Sequence, residues 1–147
     1  MWSFDQRKRL ALEYRLLQKY GFNFTFSCPT DSERCELRGE LQTSYGNTYR
    51  IRIKIPNFPD RCPEAYIINP AMYDYWGKNL LEYSTSHKMH LLSPQNGEVH
   101  ICLYKPEYWS NNETLTKLIM KALIWLEAYE QHRKTGFDLD YFVRSYR

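Results

Sequence analysis

Cys102 is the residue of this chain whose surroundings best suit nucleophilic chemistry. It follows the turn dipeptide Asn96-Gly97 and precedes Lys105-Pro106, which places it in a short non-helical segment where a thiol is both held and accessible. A free cysteine with a pKa of about 8.5 is only slightly ionised at neutral pH, so its thiol needs a nearby base or cation. His100 is the first candidate, because side chains two residues apart in an extended segment point to the same side. These residues alone leave a second interpretation open, in which Cys102 is a small buried residue and His100 an ordinary surface side chain.

A zinc site is the other chemistry that these residue types can support. His87, His90, His100 and Cys102 together offer imidazoles and a thiol, which are ligands that zinc prefers. Their spacing matches no known zinc module, and no Cys-x-x-Cys pair accompanies them. We therefore predict no metal site. The sequence also contains nothing that resembles a nucleotide-binding loop, so we predict no cofactor.

Hydrophobic periodicity predicts an α+β arrangement around this segment. The pattern from Phe4 to Tyr20 has the spacing of a helix, with a solvated basic face that carries Arg7, Lys8, Arg9 and Arg15. Alternation then predicts four strands that pair as an antiparallel meander, at residues 22–27, 35–42, 48–55 and 65–70. Residues 71–93 show no regular pattern, and a loop of that length is usually functional.

A second helix and a tail complete the chain. Ser110 to Glu113 has the spacing of a capping box, and an apolar stripe follows it up to a predicted helix end at Gly136. The tail from Asp138 to Arg147 is predicted to pack back through its apolar side chains, which are Tyr141, Phe142, Val143 and Tyr146. Because there is no repeat or linker, residues 1–147 are predicted to form a single domain.

Composition bears on location and partners. The formal net charge is only +3, which argues weakly against a nucleic-acid or anionic-membrane partner. The N-terminus lacks the apolar run of a signal peptide, and no stretch approaches the ~20 apolar residues of a membrane span. We therefore expect a cytoplasmic protein in which Cys28, Cys35 and Cys62 are small core residues and most thiols are free.

Several motifs resemble those of ubiquitin-conjugating enzymes, in the same order along the chain. Tyr49 to Pro59 is similar to the family's third strand and its aromatic-proline exit, and Ile101-Cys102-Leu103 resembles the sequence around its active cysteine. Tyr108-Trp109-Ser110 resembles the tryptophan and helix start that follow. The resemblance extends over nearly the whole chain. It implies a ubiquitin-conjugating-like fold with an N-terminal helix, a four-stranded antiparallel meander, an extended active-site segment and a C-terminal helix, and it implies a thioester on Cys102.

A narrower resemblance lies further along the chain. Cys102 to Trp109 and Trp125 to Gly136 are similar to the bacterial ubiquitin-conjugating-like proteins of anti-phage cyclic-oligonucleotide signalling (CBASS) operons. These operons encode a cyclic-oligonucleotide synthase, a nucleotidyltransferase related to cyclic GMP-AMP synthase. The resemblance implies that the partner is the C-terminus of the synthase. This C-terminus is either transferred to an amine, or its attachment regulates the activity of the synthase. A separate activating enzyme is implied as a further partner. The alternative is a catalytically inactive binding module of the same fold.

One motif departs from the eukaryotic pattern. The eukaryotic enzymes carry His-Pro-Asn shortly before the cysteine, whereas this chain has His90-Leu91-Leu92. The resemblance assigns that asparagine a hydrogen bond to the oxyanion, a type of contact worth ~3 kcal/mol of activation barrier. Asn96, His90 and His100 are the candidates for this donor, and the sequence does not choose among them.

Overall fold

One antiparallel sheet and three α-helices are present in residues 1–27 and 30–144, the part of the chain that the computed structural model describes. The strands lie in the spatial order β1-β2-β3-β4-β6-β5, with β1 at Phe24–Ser27, β2 at Glu36–Gln42, β3 at Thr48–Lys54, β4 at Glu64–Asn69, β5 at Leu91–Gln95 and β6 at Glu98–Ile101. The helices are α1 (Phe4–Lys19), α2 (Leu115–Thr135) and α3 (Leu139–Arg144). The buried face of α2 shares one hydrophobic core with the strands.

The α+β class and the four predicted strands are confirmed, but the sheet has six strands rather than four. The two additional strands, β5 and β6, form a hairpin inside the region expected to be irregular or extended. Asn96 and Gly97 have φ values of 52° and 72°, the left-handed conformation that a two-residue hairpin turn requires. The sequence pattern concealed β5 because Ser93 and Pro94 interrupt it. Proline is tolerated there because β5 lies at the edge of the sheet.

The second helix begins later than the capping-box spacing predicts. Thr114 is the N-cap of α2, and its side chain accepts a hydrogen bond from Lys117 N–H at 3.1 Å. The predicted cap at Ser110 is therefore wrong, and Ser110 O instead accepts a turn hydrogen bond from Glu113 N–H. The predicted helix end is confirmed, because Gly136 follows α2 with a left-handed φ of 77°.

The tail packs back on the domain as α3, as predicted. Leu139 is fully buried, and Phe142 and Val143 pack against the core. Tyr141 is exposed instead, and Tyr146 lies outside the described residues. Asp140 N–H donates to Lys88 O at 2.8 Å, so α3 is fastened to the loop that precedes β5.

The cysteines differ from the expectation of small core residues with free thiols. Cys35 is buried, but it is disulfide-bonded. Cys62 and Cys102 have free thiols and are only half-buried. The prediction for Cys28 lies outside the described residues.

A buried carboxylate connects α1 to the start of α2. Glu13 is fully buried, and its Oε1 accepts a hydrogen bond from Leu115 N–H at 2.6 Å. Its Oε2 accepts from Arg9 Nε at 3.0 Å, and Arg9 also donates to the carbonyl oxygens of Asn111 and Glu113. Arg9 therefore does not lie on a solvated face as predicted. The first backbone N–H groups of a helix have no partner within the helix, and Glu13 supplies one of the missing acceptors.

We expect Glu13→Ala to lower the free energy of unfolding by about 3–5 kcal/mol, as measured by urea denaturation. The substitution leaves Leu115 N–H without its acceptor and Arg9 without its buried partner, which is the costly way to break a buried ion pair. Glu40→Ala is the matched control, because Glu40 pairs with Arg50 at the surface. Its loss should cost less than about 1 kcal/mol. Equal costs for the two variants would contradict the prediction.

Candidate active site

Cys102 lies at the point where β6 ends and an irregular segment begins. Its backbone N–H donates to His90 O at 2.9 Å, which fixes the cysteine against the loop that leads into β5. The thiol contacts Tyr104 O at 3.9 Å and is half-buried. The preceding residue, Ile101, is buried in the core. The main chain of Cys102 is therefore held from both sides, while the residue as a whole remains partly exposed.

Two cavities border Cys102. The first, which we call the helix cavity, has a volume of about 310 Å³ and is lined chiefly by His90, Cys102, Met120, Ile124, Trp125 and Val143. The second, which we call the strand cavity, has a volume of about 350 Å³ and is lined chiefly by Cys62, Pro63, Leu92, His100, Cys102 and Tyr104. Each volume suits a short peptide segment or a large side chain. A thiol that borders both cavities can be approached from two directions.

His90 and Cys102 share the helix cavity. The ring of His90 bonds to Asp140, with 2.6 Å between Nε2 and Oδ1, and both side chains are mostly buried. The carbonyl of His90 accepts hydrogen bonds from Cys102 N–H and from the indole N–H of Trp125. His90 has a φ of 50°, a conformation that is uncommon outside glycine and that these contacts maintain.

His100 borders the strand cavity together with Cys102, but it is buried. Only 6% of the residue is exposed, and its ring packs on the ring of Tyr66 with 4.4 Å between the centroids. Burial lowers the pKa of His100 and outweighs the opposing effects of the charge of Glu64 and of a hydrogen bond with the backbone of Ser93. His100 is therefore neutral at physiological pH.

Asn96 lies apart from the other predicted site residues. It is exposed at the tip of the turn between β5 and β6, and it lines neither of the two cavities. The whole of β6 separates it from Cys102, and a strand rises about 3.3 Å per residue, so the two side chains are roughly 15–20 Å apart. The structure thus brings His90 and His100 to Cys102 but not Asn96.

The environment of the thiol disfavours its ionised form. Burial raises the pKa of Cys102, and the charge of Lys105 opposes this only in part. Burial also raises the pKa of Cys62 to about 11, with further contributions from Cys102 and Glu64. At neutral pH both thiols are protonated, so a reaction at Cys102 needs a group that accepts its proton during attack.

Two residues, one beside Cys102 and one in contact with His90, were not found from the sequence. Cys62 was predicted as a core residue, but it lines the strand cavity. Asp140 was not considered at all, because fifty residues separate it from His90 and only the packing of α3 brings the two together. The available signal for Asp140 was an acidic residue in an otherwise apolar tail. This signal does not indicate which residue Asp140 contacts.

Neither a metal cluster nor a membrane helix is evident within residues 1–27 and 30–144. In that part of the chain, no three histidine, cysteine or acidic side chains are arranged to hold a metal ion. His87, His90, His100 and Cys102 thus do not converge on one point as a zinc site would require. No helix there combines the length and the apolar character needed to cross a bilayer.

Comparison with known protein families gives a match. A family model described as Type II CBASS E2 protein matches residues 13–137. This range contains the six strands, the segment that bears Cys102 and all of α2, and it ends just before α3. The chain matches no curated protein and no solved structure at a significant level.

Proposed function

Because this chain belongs to the Type II CBASS E2 protein family, we propose that it is a ubiquitin-conjugating-like acyltransferase that forms a thioester on Cys102. The donor is the C-terminal carboxyl of a CBASS partner, which we propose to be the cyclic-oligonucleotide synthase. The acyl group then passes to an amine, or its attachment regulates the synthase. One observation carries the proposal: Cys102 has a free thiol and a fixed main chain, and it lines both cavities.

The reaction has two steps. In the first, the sulfur of Cys102 attacks the activated carbonyl carbon at the donor C-terminus, a C–S bond forms, and the bond from that carbon to its leaving group breaks. The donor arrives already activated, as a thioester or from a separate activating enzyme, because the sequence has no resemblance to a nucleotide-binding loop. In the second step a neutral amine attacks the same carbon, a C–N bond forms, the C–S bond breaks, and the proton that the amine loses passes to the sulfur of Cys102.

The two cavities suit this sequence of steps. A donor chain end that occupies one cavity leaves the other side of the sulfur open to the amine. The helix cavity offers an apolar floor with Lys117 and Lys121 at its edge, whereas the strand cavity is bounded by the neutral His100 and by Cys62. His90 and His100 are the two candidates for proton transfer or oxyanion stabilisation, one in each cavity.

Intact mass spectrometry of the chain co-expressed with its genomic neighbours, which supply the synthase and any activating enzyme, tests the proposal. We expect a species with the summed mass of the two chains less one water, which neutral hydroxylamine and excess thiol both cleave. A disulfide would instead show the loss of two hydrogens and would resist hydroxylamine. If the two proteins form a stable complex with no covalent species, the catalytically inactive binding module is the correct interpretation.

A further inference from the structure

Asp140 on α3 holds the ring of His90 at the edge of the helix cavity. Nε2 and Oδ1 are 2.6 Å apart, and the two side chains are only 11% and 15% exposed. α3 itself is fixed by the burial of Leu139 and by the hydrogen bond from Asp140 N–H to Lys88 O. The carboxylate therefore reaches His90 from an element that is docked independently of the imidazole ring.

The charge of Asp140 determines which nitrogen of His90 carries the proton. Burial opposes ionisation of Asp140, but its hydrogen bond with the ring of His90 and the basic side chains around it, which include Arg144, outweigh burial, so the pKa of Asp140 is lowered. An ionised carboxylate only accepts hydrogen bonds, so Nε2 must carry the proton and donate it. In the neutral ring, Nδ1 is then the nitrogen with a free lone pair.

We propose that Asp140 is a positioning residue that fixes this tautomer of His90, so that Nδ1 accepts the proton of Cys102 when the thiol attacks. The inference rests on the proposed thioester function and supplies its proton acceptor. Two observations place the partners together: both residues line the helix cavity, and Cys102 N–H is bonded to His90 O. The arrangement corresponds to a catalytic triad, in which a carboxylate orients a histidine and the histidine accepts the proton of the nucleophile.

Proton and electron pairs balance in this step. The S–H bond of Cys102 breaks, its proton moves to Nδ1 of His90, and the sulfur lone pair forms the C–S bond to the activated carbonyl. When the bond from that carbon to its leaving group breaks, the imidazolium returns the proton to the leaving group. Asp140 remains ionised throughout and stabilises the imidazolium between the two transfers.

Charged groups approach this pair from three elements. His87 lies in the same loop as His90, with 5.4 Å between the ring centroids and 3.8 Å from its Nε2 to Asp140 Oδ1. Arg144 on α3 is 3.2 Å from the other oxygen of Asp140. Lys117 and Lys121 on α2 line the helix cavity. Asp140 thus lies within 4 Å of basic side chains from the loop and from α3, which supports its ionised state and its role as acceptor.

Asp140→Asn tests the inference in the purified chain, without any partner. Long-range ¹H–¹⁵N correlation spectra report the tautomer of His90, and mass spectrometry reports the rate at which iodoacetamide alkylates Cys102 as a function of pH. We expect the Nε2–H tautomer in the wild type. In Asp140→Asn we expect alkylation near neutral pH to slow at least about tenfold, with no change at a pH where the thiol ionises unaided. Asp138→Asn removes the same charge from an exposed position just before α3 and should match the wild type.

Each outcome decides the inference. An Nδ1–H tautomer in the wild type, or an unchanged alkylation profile in Asp140→Asn, would overturn it. If Asp140→Asn does not fold, the wild-type spectrum alone settles the tautomer. A tautomer and alkylation profile as expected, together with no covalent species in the co-expression experiment, would leave the role of Asp140 intact and reject the acyl-transfer function.

Discussion

Replacing Cys102 with alanine should reduce formation of the covalent adduct with the synthase by at least about 10⁴-fold, to below detection by intact mass spectrometry. Alanine keeps the backbone, so the N–H donated to His90 O is preserved while the sulfur is lost. Removing the nucleophile of a covalent catalyst typically abolishes the reaction, leaving only the background. Cys102→Ser keeps a weaker nucleophile, and we expect it to accumulate a small amount of an oxyester that resists thiols.

Cys62→Ala is the matched control for this prediction. Cys62 is also a free, half-buried thiol, and it lines the strand cavity beside Cys102. Burial together with the nearby Cys102 and Glu64 raises the pKa of Cys62 to about 11, which makes it a poor nucleophile at neutral pH. Cys62→Ala should retain the adduct. An adduct that survives in Cys102→Ala and disappears in Cys62→Ala would move the reactive thiol to Cys62.

The parts of the fold that the sequence predicted are those with a local periodic signal. In β3, Tyr49, Ile51 and Ile53 are buried and alternate with polar residues, and this pattern is readable without tertiary information. The same is true of α2, whose stripe ends at Gly136. β5 was missed because it is short and contains Pro94. It is a strand only because β6 is beside it, and a pairing partner is not a local property.

In the candidate site, too, the sequence predicted what depends on local signals and missed what depends on tertiary packing. Cys102 was identified from its local surroundings and from the family resemblance. The burial of His100 under Tyr66 depends on the pairing of β4 with β6, and the contact of His90 with Asp140 depends on where α3 packs. Asn96 is only six residues from Cys102 in the sequence. In the fold it lies in the turn at one end of β6, whereas Cys102 follows the other end of that strand. Residue type therefore indicated the chemistry, while tertiary packing decides which candidates are close to the sulfur.

His90→Asn should slow thioester formation by about 10²–10⁴-fold, the usual contribution of one general acid–base group. Asparagine tolerates the left-handed φ of 50° at this position, so the carbonyl that accepts from Cys102 N–H and from Trp125 should stay in place. The amide has no nitrogen that accepts a proton at neutral pH. The thiol of Cys102, whose pKa burial raises, would then have to ionise unaided. Single-turnover kinetics with an activated donor give the rate.

His87→Asn separates this effect from a general change in charge around Asp140. The rings of His87 and His90 are adjacent, and both lie near Asp140, but the side chain of His87 is 75% exposed and does not line the helix cavity. His87→Asn should stay within about threefold of the wild type, because it removes no group at the sulfur. A similarly small effect in a folded His90→Asn protein would exclude His90 as the proton acceptor. His100, neutral and on the opposite side of Cys102, would then be the remaining imidazole that borders the thiol within the described part of the chain.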